Sequence, residues 1–356
     1  MIFTIGPSTL DVDVLRRLLR SGVDICRVNM AHASHDWTYK AIKAIRTASV
    51  AEGKEVSILM DIKGPEIRTG YLDGYIQLEK DQQIDLTQSD EASPEAGIPA
   101  VDINYPSLID EAKIGDVLLV DSGLMRFQVE EVLIDRLRCR VIIPGKMGSR
   151  RHINIPGKKI NLPAMTEKDI ADTKIGISAN VDFFALSFVR EAADINQLKK
   201  FLLDNNSAAQ VVAKVEDQSG IKNLKEILDV SDALMVARGD LGIEVPYEEL
   251  PIIQKQAVSD ALISGKPVIM ATHLLESMIE SPMPTRAEIT DVSNSVFERV
   301  DCVMLSGETS VGKYPVECVD VLNKVTQNVE RYAGGSGFNE SMPLSTTREK
   351  LMKSAV

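Results

Sequence analysis

Val211-Val212-Ala213-Lys214-Val215-Glu216 is followed, after a helix-sized gap, by Ala233-Leu234-Met235-Val236-Ala237-Arg238-Gly239-Asp240. Each is a short run of β-branched and aliphatic residues that ends in charge, and such runs on either side of a helical segment read as a parallel βαβ unit. Working outward, the same pattern recurs at Ile2–Gly6, Ile25–Met30, Val56–Asp61, Phe183–Ser187, Pro267–Thr272 and Cys302–Ser306. Eight such units are the number that closes an α/β fold into a (β/α)8 TIM barrel. The carboxyl ends of barrel strands share one face, where chemistry is done. Arg27, Asn29, Asp61, Lys63, Ser187, Lys214, Glu216, Arg238, Asp240, Thr272 and Glu308 are therefore expected around one mouth.

One interval breaks the rhythm, since 121 residues separate Asp61 from Phe183. Within it Val117–Val120 and Phe127–Glu130 flank Asp121-Ser122-Gly123, and their alternation about a glycine-containing turn predicts an antiparallel hairpin. The reading is an inserted small all-β lid domain over 68–162, leaving from the third strand and able to close over the mouth. The barrel then comprises 1–67 and 163–332, and 333–356 reads as a linker and the start of a truncated C-terminal domain. Gly334-Gly335-Ser336-Gly337 carries the linker pattern, and Thr347–Val356 is helix-like. Helix starts are marked by Asp11 and by two capping boxes, Thr166 with Asp169 and Thr285 with Glu288.

A chain of 356 residues with 44% hydrophobic content buries a large core. The longest apolar runs are strand-sized, so neither membrane insertion nor export is expected. A net charge of −12 disfavours non-specific nucleic-acid binding, which depends on neutralised phosphates. Cys26, Cys139, Cys302 and Cys318 lie in apolar segments without CxxC spacing, which points to reduced packing cysteines and a cytoplasmic location.

Glu216 and Asp240 close adjacent strands, and two such carboxylates suit one Mg²⁺ that keeps sites for substrate oxygens and water. Lys214 shares a strand face with Glu216, which puts its ammonium where a phosphoryl group or enolate develops charge. The plainer reading of Lys214 and Glu216 is an ion pair at the rim. Gly239 permits close backbone approach to an anion. Arg27 and Arg68 suit phosphate clamping. His32 and His35 mimic a metal pair without a third ligand, so a structural or surface role is the plainer reading. Ser149-Arg150-Arg151-His152 is a basic patch where the insert returns to the barrel.

Phe3–Ser8, Arg27–Met30, Asp61–Gly70, Ala237–Gly242, Ala271–Met278, Pro284–Glu288 and Met304–Thr309 together resemble pyruvate kinase, in order, from residue 2 to about 330. The resemblance implies phosphoryl transfer from phosphoenolpyruvate to ADP, giving pyruvate and ATP, with Mg²⁺ or Mn²⁺. It implies Lys214 at the transferring phosphoryl group and Glu216 and Asp240 as metal ligands. It also implies Arg27, Ser187, Gly239, Asp240 and Thr272 around the substrate, with Arg68, Arg151 and His32 toward the nucleotide. Lys214, Arg27, Arg68 and Thr272 are the expected catalytic set, with a water network near Thr272 as a path for protonating the enolate. Asn29 and Asp61 match side-chain ligands of the family's K⁺ site, whereas Ala31 and Ile62 replace hydroxyl residues there. Glu66, Lys63 and Thr69 nevertheless look like the K⁺-requiring branch, so the resemblance leaves K⁺ open. Ser122 stands where an aspartate is common. A homo-oligomer is implied for a full-length protein. Two other readings compete: a Mg²⁺-dependent 2-oxo acid lyase or aldolase, which needs neither the lid nor Lys214, and a catalytically silent metabolite-binding barrel.

Overall fold

Parity along the strands decides what faces the barrel axis. Ile2, Leu59, Ala185, Val212, Met235, Ile269 and Met304 form an apolar cluster inside the barrel, while their neighbours pack outward against the helices. A strand turns successive side chains to opposite faces. The inward series therefore continues from Ile2 to Thr4, from Leu59 to Asp61, from Ala185 to Ser187, and from Val212 to Lys214 and Glu216. The interior is apolar at one end and polar at the other.

The computed structural model describes residues 1–89, 97–158 and 161–335. Its eight parallel barrel strands are β1 (Ile2–Thr4), β2 (Ile25–Asn29), β3 (Ser57–Ile62), β4 (Phe183–Leu186), β5 (Gln210–Val215), β6 (Ala233–Ala237), β7 (Val268–Ala271) and β8 (Cys302–Leu305). They close in sequence order, with β1 paired to both β2 and β8. Registers such as Asn29 opposite Asp61 and Leu186 opposite Ala213 bring the polar strand ends level.

The insert leaves after β3 and returns before β4. Seven of its strands form one sheet, in the order Ile67–Arg68, His152–Asn154, Val117–Val120, Met125–Val132, Arg136–Ile143, Gln83–Thr87 and Ala100–Asp102. It has its own core, including Leu86, Leu118, Phe127, Val129 and Leu137. The hairpin expected around residues 121–123 is present, with Asp121, Ser122 and Gly123 all at positive φ.

Three local expectations need correction, and a fourth falls outside the described residues. Gln83–Thr87 pairs with Ala100–Asp102 in parallel, so the insert is not purely antiparallel, and it carries one helical turn, Leu108–Glu111. The sixth run is strand only to Ala237, and Asp240 sits in the first turn of a helix, Arg238–Glu244, because strand pairing stops at Ala237 opposite Ala271. The last described helix, Pro315–Gly335, includes two of the glycines expected in a linker. The helix-like Thr347–Val356 lies outside the described residues.

Both capping boxes form, at Thr166 with Asp169 and Thr285 with Glu288. All four cysteines are free, and Cys26, Cys139 and Cys318 are buried. Among the described residues no helix is long and apolar enough to cross a membrane.

Candidate active site

The polar end of the barrel is organised around Lys214. Its ammonium Nζ lies 2.6 Å from Ser187 Oγ, 3.2 Å from Asp61 Oδ1 and 3.0 Å from Glu216 Oε1. Burial alone would drive the proton off, yet Asp61 and Glu216 outweigh it and raise the pKa, so Lys214 stays cationic. Asp61 also accepts from Arg27, through Nε at 2.8 Å and Nη2 at 2.7 Å. Burial pushes the Asp61 carboxyl up, but Lys214 and Arg27 together hold it below its ordinary value. Arg27 reaches Thr4 Oγ1 as well, at 3.0 Å. β1, β2, β3, β4 and β5 thus contribute to one buried network.

Glu216 sits one residue past β5 and is 1% exposed. Its Oε2 accepts the Phe188 amide at 2.8 Å. Burial raises its carboxyl to about 7; Lys214 works against this and Asp240 adds to it. A buried carboxylate, with Lys214 at one oxygen and an amide at the other, keeps lone pairs for a hard cation, and Asp240 stands in the first turn of the helix after β6. Among the described residues no three His, Cys, Asp or Glu side chains cluster to hold a metal. The fit is to an ion taking two protein carboxylates, as Mg²⁺ and Mn²⁺ do, with other oxygens completing the shell.

Across the mouth the Gly239 amide donates to Thr272 Oγ1 at 2.8 Å. Thr272 and His273 have φ of 66° and 55°, and Phe188 has φ 55°. Left-handed backbone at three bulky or branched residues is costly and concentrates at functional loops. Arg238 spans the same rim, donating to the Thr272 carbonyl at 2.6 Å and to Asp291 at 2.7 Å.

The remaining expected residues divide between two places. Arg68 is on the insert's first strand, held by Glu66 at 2.6 Å and by the Arg150 carbonyl at 2.8 Å. Lys63 meets the same Glu66 at 2.8 Å. Burial raises the Glu66 carboxyl and its two basic partners more than reverse this. Arg151 pairs with Asp121 at 3.1 Å beside Ser122. His32 lines another recess, of about 420 Å³, with Gly6, Pro7, Asn29, Trp37 and Ser310. His35 bonds Asp172 at 2.8 Å at the start of a helix, so the two histidines form no metal pair. Asn29 Oδ1 accepts the Ala31 amide at 3.1 Å, and Ile62 is fully buried. Glu308 does not open to the mouth; it is buried and accepts the Leu275 and Ser306 amides.

Sequence reasoning did not single out Phe188, Asn154 or Glu244. Asn154, on the insert, donates to Glu244 at 2.7 Å. Burial raises the Glu244 carboxyl to about 7 despite this bond, with Asp217 and Asp240 contributing. A glutamate on the apolar side of a short helix was the available signal.

Comparison with known proteins extends this picture. The family model described as "Pyruvate kinase, barrel domain" matches residues 1–319. A relative from Dictyostelium discoideum, named pyruvate kinase, is 42% identical over 335 residues, covering 93% of this chain and 66% of that protein. A second, from Geobacillus stearothermophilus and likewise named, is 41% identical over 336 residues, covering 93% and 57%. The crystal structure of a pyruvate kinase from Cryptosporidium parvum matches with a TM-score of 0.89 at 38% identity, covering 92% of this chain and 68% of that one. The chain spans about three fifths of the length of the two curated relatives.

Proposed function

The chain belongs to the pyruvate kinase family, and from that premise we propose that it moves the phosphoryl group of phosphoenolpyruvate to ADP, giving pyruvate and ATP. The observation that carries the reading is the fixed, charged Lys214, held by Ser187, Asp61 and Glu216 at the mouth of the barrel. Phosphoryl transfer passes through a loose transition state, so positioning and charge do nearly all the work.

Glu216 and Asp240 are the residues that would hold Mg²⁺ or Mn²⁺, and such an ion, when bound, would supply positive charge against the phosphoryl oxygens and the enolate oxygen they leave. Lys214 acts beside them on the same group. Arg27, oriented by Asp61 and Thr4, faces the substrate phosphate, and Arg68 is aimed by Glu66 toward the phosphates from the insert's side. Ser187, Gly239 and Thr272 border the enol, and a water path past Thr272 delivers the proton that completes pyruvate.

His32 and Arg151 are read as further nucleotide contacts. The recess beside His32 is half-open and partly aromatic through Trp37, which suits a stacked base. Asn29 and Asp61 supply the side-chain oxygens available to K⁺. The insert, 68–162, is read as the lid over the barrel formed by 1–67 and 163–332, with 333–356 leading away. Four free cysteines fit a cytoplasmic setting.

The direct test is pyruvate formation from phosphoenolpyruvate and ADP with Mg²⁺, followed through a coupled dehydrogenase. Activity that is lost with chelator and restored by Mg²⁺ or Mn²⁺ supports the reading. A folded chain that forms no pyruvate under any metal sinks it.

A further inference from the structure

Two alternate residues of one strand of the insert reach the barrel. In His152–Asn154 the middle residue, Ile153, belongs to the insert's own core, so His152 and Asn154 project from the other face. Asn154 donates to Glu244, and His152 meets Phe188 edge-on, with centroids 5.8 Å apart and planes at 63°. Phe188 follows Ser187 directly, has φ 55°, and gives its amide hydrogen to Glu216 Oε2. A bulky residue keeps a left-handed conformation only where its surroundings hold it there. One of those surroundings is a ring carried by the other domain.

Resting on the reading of Glu216 and Asp240 as cation ligands, we propose that His152 is a positioning residue whose ring braces Phe188, aims the Phe188 amide at Glu216, and so couples docking of the insert to divalent-cation affinity. Lys214 engages Oε1 of Glu216 and the Phe188 amide engages Oε2, so the pair orients the whole carboxylate. Groups that orient a ligating carboxylate matter to metal affinity nearly as much as the carboxylate itself. The contact with Phe188 uses the flat ring and bulk of the imidazole, and its charge has no part in it. A cavity of about 80 Å³ lined by Glu66, Asn154, Phe188, Gln218 and Glu244 adjoins the ring. Cutting the ring back enlarges that space and lets Phe188 leave its conformation.

The experiment is Mn²⁺ binding to the full chain without substrate, read from the paramagnetic resonance signal of free Mn²⁺, for the parent, His152→Ala, His152→Phe and Glu216→Gln. An edge-to-face pair of this kind is worth about a twofold to tenfold change in an equilibrium. His152→Ala is expected to weaken Mn²⁺ binding by about threefold to tenfold, and His152→Phe to stay within about twofold of the parent. In turnover, the metal concentration at half-activation should rise for His152→Ala more than kcat falls. Should the alanine variant melt early, His152→Leu fills much of the volume without a ring to stack edge-to-face and is expected to bind Mn²⁺ as weakly. Parent-like binding by a folded His152→Ala, or equal weakening in the alanine and phenylalanine variants, overturns the inference and leaves the site itself standing. Parent Mn²⁺ binding that survives Glu216→Gln instead removes the cation site, and the inference with it.

Discussion

The amide of Gly239 donates to the hydroxyl of Thr272 at 2.8 Å, and that hydroxyl donates to the Ala271 carbonyl at 2.7 Å. One oxygen thereby ties the helix that follows β6 to the loop after β7, at a threonine whose φ is 66°. Thr272→Ser keeps both bonds and is expected to stay close to parent activity. Thr272→Val leaves the Gly239 amide without its acceptor, which costs about 1–3 kcal/mol of stability. Loss of the hydroxyl should also lower turnover by about 100-fold, the low end of the range for a lost proton-transfer group. Steady-state kinetics and thermal melts of the two variants check this; a Thr272→Val enzyme as fast as Thr272→Ser would show that the hydroxyl is only a brace.

Lys214→Met is expected to fold and to lose turnover by about 10³-fold, since it removes charge that is felt most in the transition state. Folding survives because Asp61 keeps Arg27 at 2.7 Å, and Glu216 is already close to taking a proton near neutral pH. Circular dichroism and kcat together decide it. Near-parent kcat in a folded Lys214→Met chain defeats the assignment.

Glu244→Gln tests the contact between insert and barrel. The Glu244 carboxyl is raised from 4.5 to about 7 in the folded chain, mainly by burial. A proton is therefore bound more tightly folded than unfolded, and the stability this contributes is complete below about pH 4.5 and lost as pH rises through about 7. Glutamine keeps an acceptor for Asn154 without the charge. The variant should melt higher than the parent at pH 8 and show no such gain at pH 5, a difference on the order of 2–3 kcal/mol. Comparing variant and parent cancels a buried acid that does not interact with Glu244, such as Glu308, whose carboxyl is also raised by burial. A melting difference that is the same at both pH values rules the mechanism out.

Replacing K⁺ with tetramethylammonium at equal ionic strength is expected to lower pyruvate formation by less than about tenfold. Both oxygens of Asp61 already face cations, Lys214 at one and Arg27 at the other. Ala31 and Ile62 add no side-chain oxygen, and Asn29 Oδ1 is engaged by the Ala31 amide. A site so supplied gains less from a further monovalent charge. Activity that vanishes without K⁺ would mean that backbone oxygens complete a working site.

Much of this was legible in the chain. The eight strands were readable because each is a short β-branched run, and strand parity then put Arg27, Asp61, Ser187, Lys214 and Glu216 on inward positions. Asp240 was found for a partly wrong reason, as a strand end when it is the first turn of a helix. Glu308 reads as a mouth residue and is a buried acceptor of backbone amides, because it lies in the helical turn after β8 and bonds Ser306 and, from the segment after β7, Leu275. The roles of Phe188, His152, Asn154 and Glu244 were not legible, since each depends on a contact between segments far apart in sequence.

The barrel, the place of the insert and the identity of the charged groups at the mouth are readable from residue order, because they follow from local periodicity and from the fixed direction of parallel strands. The folded contacts alone set which of those charges neutralise one another, which carboxylates burial raises, and where the insert touches the barrel. Electrostatic balance and ring contact depend on distances of a few ångströms between residues tens to hundreds of positions apart, and periodicity along a chain carries no such distances.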